Sequence, residues 1–389
     1  VGQVKNMVKS SQTPSYQIIT TQAKLKEFVA SISKAKQIAV DLEADSMFHF
    51  QEKVCLLQMA ANRHNVVIDP LEIGDLSPIR SLFNNSKIRK IFHGADYDIR
   101  SLYRDFKIEV NNLFDTQLAS MYLGIRETSL ESLLLCHFGI SLNKKFQKKD
   151  WSQRPLPEEM VIYAAKDVSH LIPLSKIILN ELRSKKRFSW VKEECELLSK
   201  VRPAKIDDKP LFLKFKGAGR LPPYKLAILE RLLKYRRTMA RKKDKPLFKI
   251  LGNAPLLKIA SKPPTSLNKL KQLNILSQKQ IAMYGKSILS NVNKALSIEP
   301  EKLPKYPRKK APVLKPVVPD RIKSLRAWRD EKARLLGLDP ALLLNKTLLT
   351  KLAIYKPTTL SKLDSIESLR RWQKREFGRN IVAILKQAP

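Results

Sequence analysis

Asp41 and Glu43 sit two residues apart at the end of the apolar run Ile38-Ala39-Val40. On a strand, residues two apart point to the same face, so these carboxylates project side by side. Like charges that close repel, and on a buried sheet they need a positive partner. A divalent cation supplies it economically. Mg²⁺ takes oxygens from one or two carboxylates and keeps other positions for water and substrate phosphate. Two solvated acids at a strand edge explain this stretch equally well, so the decision falls to the rest of the chain.

Two further segments carry acids that could join them. Asp98 lies one turn into a helix that follows the strand-like Lys90-Ile91-Phe92-His93 and the turn Gly94-Ala95. From there it points back toward the sheet end. Tyr163 and Asp167 are four apart on a long helical pattern and share a face. Four carboxylates from three segments, with a phenol beside one of them, suit two-metal phosphoryl transfer. In that chemistry two ions ~4 Å apart activate water and stabilise the leaving oxygen. A phenol can orient the attacking water by a hydrogen bond. Taken singly, a helix-start Asp is commonly a cap and a helical Tyr commonly packs in a core.

The elements that must position these groups are readable from periodicity. A short strand at Tyr16–Ile19 and an amphipathic helix at Gln22–Ile32 come first. Strands are expected at 37–43, 54–60 and 65–68, the last ended by the Asp69-Pro70 turn, and three such neighbours suggest an antiparallel meander. A helix over Asp96–Phe106 follows the 90–93 strand. Beyond Asn111-Asn112 the pattern is helical, over Thr116–Leu123, Leu130–Phe138 and Glu158–Arg183. Strands first and helices later predict an α/β domain ending near residue 195.

Asp41-Leu42-Glu43, His93-Gly94-Ala95-Asp96-Tyr97-Asp98 and Tyr163-Ala164-Ala165-Lys166-Asp167-Val168 resemble the three exonuclease motifs of the DEDD superfamily. Tyr163, four before Asp167, marks the tyrosine subtype; the histidine subtype needs His five before that Asp, where this chain has Ile162. The Lys145–Leu156 segment, with Gln147, Asp150-Trp151-Ser152 and Arg154-Pro155-Leu156, is similar to the ribonuclease D family. The resemblance implies a ribonuclease H-like mixed sheet flanked by helices. It also implies roles: Asp41 bridges two Mg²⁺ or Mn²⁺ ions, Glu43 and Asp167 bind the ion beside the nucleophile, Asp98 binds the other, and Tyr163 orients the water. Asp45 and Asp96 are treated as secondary. His93 is read as holding the strand-to-helix corner. Arg154 is read as meeting a substrate phosphate or, equally, pinning its loop.

Charge points to the partner. The 389 residues carry a formal +38, and it is lopsided: residues 1–200 hold 29 basic against 23 acidic side chains, and residues 201–389 hold 45 against 13. A net of +32 in the second half implies a polyanion, nucleic acid above all. No run of 18 apolar residues is present, so no membrane span is expected. The opening Val1-Gly2-Gln3-Val4-Lys5-Asn6-Met7 lacks an apolar signal segment, and its first six residues are expected to be a foreign remnant or a truncated start. Cys55, Cys136 and Cys195 lack metal-ligand spacing and suggest reduced thiols in a cytoplasmic protein.

The basic half repeats itself at an offset of 93 residues without a gap. Leu232 pairs with Leu325, Tyr235 with Trp328, Arg236 with Arg329 and Ala240 with Ala333. Leu256 and Leu349, Ile259 and Leu352, Leu270 and Leu363, Tyr284 and Phe377, Gly285 and Gly378, and Ile288 and Ile381 continue the series. Each copy resembles the HRDC domain (helicase and RNase D C-terminal), an all-α nucleic-acid-binding fold. The expected organisation is an exonuclease domain at 1–196, a linker at 197–221, one HRDC-like domain at 222–296, a Pro/Lys-rich spacer at 297–319 with Arg308-Lys309-Lys310, and a second HRDC-like domain at 320–389. Many HRDC domains carry a Gly-rich hairpin that these copies lack, reading Asn274-Ile275-Leu276-Ser277 and Ile366-Glu367-Ser368-Leu369. Basic side chains on the first helix of the first copy, Lys234, Arg236, Arg237 and Arg241, are the expected replacement contacts with RNA. The resemblance as a whole implies a metal-dependent 3′→5′ exoribonuclease acting on tRNA precursors. A DNA exonuclease and a non-catalytic RNA-binding protein are the rival readings.

Overall fold

The computed structural model describes residues 15–62, 64–204, 208–307 and 315–388. The opening segment and Arg308-Lys309-Lys310 lie outside them. The chain divides into two compact units.

The first unit takes the described residues through Ala44, residues 54–203 and those from 315 onward. Its strands are β1 (Gln17–Ile19), β2 (Gln37–Ala44), β3 (Val54–Ala61), β4 (His64–Ile68), β5 (Arg89–Phe92) and β6 (Leu113–Asp115). They form one mixed sheet in the order β1-β4-β3-β2-β5-β6. β2, β3 and β4 make the antiparallel meander, while β1, β5 and β6 join it in parallel. The helices of eight residues or more are α1 (Gln22–Ser31), α2 (Asp96–Phe106), α3 (Thr116–Leu123), α4 (Leu130–Phe138), α5 (Glu158–Ser169), α6 (Leu171–Ser184) and α7 (Phe188–Leu198). Alternation along β3 serves two cores. Leu56 packs with Val67, Trp151 and the Met160, Ala164 and Ala165 face of α5, while Leu57 and Met59 join the larger core with Ile91, Phe92 and Leu174.

Two expectations change here. The single helix over 158–183 is two helices that meet at His170. Pro173 explains the break, because its ring removes one amide and clashes with the carbonyl four residues back, at Ser169. β6 was not expected: its three residues fall between Asn111-Asn112 and the helix expected from Thr116, and its last, Asp115, is also the cap of α3.

The second repeat also belongs to this unit, with α8 (Val318–Leu336), α9 (Lys346–Tyr355) and α10 (Arg371–Gln387) as its longer helices. Its apolar residues continue the core of the nuclease sheet. Trp190 of α7 stacks on Trp372 with ring centroids 4.6 Å apart. The Glu193 carboxylate accepts the Arg371 and Trp372 amides at 2.8 and 3.0 Å, and so caps α10. Glu194 accepts the Trp372 indole N–H at 2.9 Å. Both indoles are buried and the Trp372 N–H is satisfied, while Trp190 Nε1 has no partner among the described residues; the stack makes this a packed core rather than a loose tether.

The second unit takes residues 45–53 and the described part of 204–312. Its longer helices are α11 (Pro223–Lys242), α12 (Asn253–Ser261) and α13 (Gln278–Leu296). Leu226, Leu232, Leu256, Ile259, Tyr284 and Ile288 form its core, and Phe50 packs against it. The 45–53 loop is held there by Asp244, which pairs with His49 Nδ1 at 2.7 Å and accepts the Phe50 amide at 3.1 Å.

The 93-residue offset has a structural counterpart. Leu232 and Leu325, Ile259 and Leu352, and Ile288 and Ile381 are all buried. Arg236 donates from Nη1 to the Leu251 carbonyl at 3.0 Å, and Arg329 donates to the Leu344 carbonyl at 2.9 Å, again 93 residues on. Arg236 is therefore withdrawn from the expected RNA contacts: it is only 7% exposed and also bonds Asn253 Oδ1 at 2.7 Å. Replacing Arg236 with Leu should leave two acceptors unpaired and cost about 1–3 kcal/mol in thermal or denaturant unfolding. Exposed Lys234→Ala, two residues away, should change stability by no more than about 0.5 kcal/mol.

Candidate active site

Asp41 and Glu43 lie on the face of β2 that α5 covers, paired across the ladder with Gln58 and Leu56 of β3. The register slips just after Glu43, where Ala44 pairs with Val54. A bulge of this kind re-aims side chains and ends pairing. Gln58 is fully buried, and neither amide atom has a partner among the described residues.

α2 brings Asp98 to the same end of the sheet, and Asp115 is the residue that places it. One Asp115 oxygen accepts the Gly94 amide at 2.9 Å and the other the Ala95 amide at 2.8 Å. The same carboxylate caps α3 through the Gln117 and Leu118 amides. One buried group thus ties together the starts of α2 and α3. Gly94 allows the approach: its φ is +77°, and a Cβ there would lie 2.9 Å from Gln117 Oε1. His93 Nδ1 meets Thr116 Oγ1 at 2.9 Å, which is the expected corner role. Sequence reading missed Asp115; its signal was an Asp directly before the predicted α3, the pattern of an N-cap.

α5 supplies the last pair. Asn65 of β4 donates to the Ala165 carbonyl at 3.1 Å and to Ser169 Oγ at 3.0 Å, fixing the helix over the sheet. Tyr163 hydrogen-bonds Asp167. Its ring is held between Phe146 and Trp151, with centroids 5.9 and 6.0 Å away. Arg154 locks the loop that carries Trp151. It grips both Asp69 oxygens at 2.6 and 2.7 Å and donates to the Trp151 and Cys55 carbonyls. These bonds occupy the guanidinium, so Arg154 pins its loop and is corrected from the set of phosphate contacts.

Oxygens of Asp41, Glu43 and Asp167 lie within 4.8 Å of one another. Asp98 stands outside that triplet but within electrostatic reach of Asp41 and Glu43. None of the four forms an ion pair among the described residues. Burial pushes Asp41 up to about 7, and burial with the Asp41 charge pushes Asp167 up to about 8. Glu43 is raised well above the carboxylate range by burial, then by Asp41, Asp167 and Asp98. Burial and the Asp41 charge do the same to Asp98. An all-oxygen, multiply acidic set with no cation of its own fits a hard divalent ion. The group opens on a cavity of about 370 Å³ also lined by His93, Gln117, Glu131, Lys144 and Gln147. Asp45 is turned away: it accepts the Lys53 amide at 2.8 Å and belongs to the second unit. Asp96 pairs with Arg100 at the surface.

In the second unit, Lys234, Arg237 and Arg241 follow one stripe of α11 and line a cavity of about 720 Å³ with Lys209. Arg241 also lies over the Phe50 ring, 5.7 Å from its centroid.

A family model described as 3′-5′ exonuclease matches residues 16–183, and the HRDC domain model matches 225–292 and 319–385. Ribonuclease D of Shewanella sp. (strain ANA-3) is 30% identical over 288 residues, which cover 74% of this chain and 74% of that protein. Protein RRP6-like 2 of Arabidopsis thaliana is 33% identical over 67% of this chain. The chain spans only 32% of the length of that relative, and 43% of RRP6-like 1 from the same plant. The crystal structure of Escherichia coli RNase D, described as an exoribonuclease involved in structured RNA processing, superposes with a TM-score of 0.72. It covers 96% of this chain and 100% of its own at 24% identity, which establishes the shared fold.

The raised carboxyls make stability pH-dependent in a definite direction. With EDTA present, the unfolded chain ionises Asp41 and Asp167 near pH 4 while the folded chain holds their protons to about pH 7–8. Stability should therefore fall as pH rises through that interval. An Asp41→Asn, Asp167→Asn variant should lose much of this slope in scanning calorimetry, and Mn²⁺ at pH 8 should raise the melting temperature of the parent chain alone.

Proposed function

The chain belongs to the ribonuclease D family of 3′-5′ exonucleases, and from that premise we propose a metal-dependent 3′→5′ exoribonuclease that releases nucleoside 5′-monophosphates. The observation that carries this reading is the convergence of Asp41, Glu43 and Asp167 oxygens within 4.8 Å, with Asp98 near and Tyr163 bonded to Asp167. Two divalent cations, Mg²⁺ or Mn²⁺, supply when bound the charge that activates water and offsets the developing negative charge on the leaving oxygen. Asp41, Glu43, Asp98 and Asp167 are the residues that would hold them: Asp41 would serve both, Glu43 and Asp167 the one beside the nucleophile, and Asp98 the other.

The chain's own groups do the positioning. Tyr163 keeps its proton, because burial and the neighbouring carboxylates raise its pKa. Its hydroxyl is thus a neutral hydrogen-bonding group that orients the attacking water. Phe146 and Trp151 hold that ring, and the Arg154–Asp69 pair holds their loop. Lys234, Arg237 and Arg241 grip the RNA backbone electrostatically, which adds affinity without reading sequence. We assign cytoplasmic tRNA precursors as the substrates; the family resemblance and the +38 charge support this.

An end-labelled RNA ladder with and without EDTA tests polarity and metal need together, and a matched DNA strand tests the sugar. Stepwise loss from the 3′ end of RNA, stopped by EDTA, is expected; faster loss of DNA would overturn the RNA assignment. Asp41→Asn should abolish turnover with RNA affinity kept within about twofold. Tyr163→Phe should lower kcat by about 10²-fold or more at unchanged RNA affinity. Replacing Lys234, Arg237 and Arg241 with Ala should weaken RNA binding and reduce the slope of log K against log salt by about 2.

A further inference from the structure

The carboxylate cavity does not end at the acids. Along α3, Gln117 lines it, while Met121 and Gly124 line a second cavity of about 860 Å³. Residues 117, 121 and 124 are spaced i, i+4 and i+7, so they share one helix face. At 1.5 Å per residue they span about 10 Å. The opposite wall is continuous too: Ser129 and Glu131 line the first cavity, and Thr128 and Arg126 the second. The two cavities are thus successive stretches of one trough.

The second repeat closes the far end. Arg334, Gly337 and Asp339 line it there. A Cβ on Gly124 would overlap the Gly337 carbonyl oxygen, so the two backbones touch at the trough floor. Arg187 fastens them, donating to the Tyr122 carbonyl at 2.9 Å and to the Leu336 carbonyl at 2.6 Å. The trough is therefore built by packed backbone and a buried guanidinium. Arg126 is exposed at its mouth and has no hydrogen bond or ion pair among the described residues. Arg334 is exposed as well and pairs with Glu331 at the surface.

We propose that this trough is the channel for the single-stranded 3′ segment of RNA, with Arg126 and Arg334 binding phosphates upstream of the nucleotide being removed. Three observations select that occupant: the trough starts at the carboxylates, its far stretch carries two accessible arginines with Asp339 as the one acid among its lining residues, and its length suits about three stacked nucleotides at ~3.4 Å each. The second repeat is then part of the substrate channel and not a separate binding module. The proposal rests on the exonuclease reading of the carboxylate cavity.

The test compares a dinucleotide, which reaches only the acids, with an eight-nucleotide single strand. Fluorescence anisotropy in EDTA reads affinity, and nucleotide release with Mg²⁺ or Mn²⁺ reads turnover. Arg126→Ala with Arg334→Ala should weaken octamer binding about tenfold, lower its salt slope by about 1.4 and raise its KM with kcat unchanged. Dinucleotide affinity and turnover should stay within twofold. Equal losses for both lengths, or an unchanged octamer, would overturn the channel. If the parent chain shows the length-dependent binding but releases no nucleotide from either, the exonuclease reading falls and the channel stands.

Discussion

Mutual repulsion among four clustered carboxylates, two of them buried and two half-buried, is the constraint on which the first unit is built. Asp41, Glu43, Asp98 and Asp167 come from β2, α2 and α5, and no basic side chain among the described residues neutralises them. Holding such a set together costs stability, and the fold meets that cost with rigid scaffolding around it. A bulge aims Glu43, the Asp115 carboxylate nails two helix starts to the sheet end, and Asn65 fixes α5 across the strands.

The two helical repeats show how duplication divides labour. Both copies keep the same core, down to the arginine that bonds a carbonyl at the same repeat position. The second has merged with the nuclease core through the Trp190–Trp372 stack and the Glu193 cap on its last helix. The first packs as a unit with the 45–53 loop, which continues the chain directly from the strand bearing Asp41 and Glu43. Its basic stripe of Lys234, Arg237 and Arg241 remains on an accessible cavity.

Much of this was legible in the sequence because the signals are local. Strand alternation revealed the Asp41–Glu43 pair, four-residue spacing revealed Tyr163 with Asp167, and α2 and α4 have the bounds that periodicity indicates. What escaped depends on long-range partners. Arg154 and Arg236 look like phosphate contacts until Asp69, and the Leu251 carbonyl with Asn253, are seen to hold them. For Arg236 a signal was available: it recurs as Arg329 among core positions of the repeat, which marks a structural residue. Gln58 was silent because a buried amide looks like any polar residue until the sheet is assembled, and Asp115, legible as an N-cap, gave no sign that the same carboxylate also holds the Gly94 and Ala95 amides.

The chemistry proposed for this site requires the carboxylates to act together in binding cations. Titration calorimetry with Mn²⁺ at pH 7, in buffers of different ionisation enthalpy, measures stoichiometry and released protons at once. Two ions per chain, with net proton release from acids whose pKa values lie near or above neutrality, are predicted for the parent chain. Asp41→Asn, lacking the shared ligand, should lose tight binding of both ions. Absence of Mn²⁺ binding, or binding without proton release and indifferent to Asp41, would contradict it.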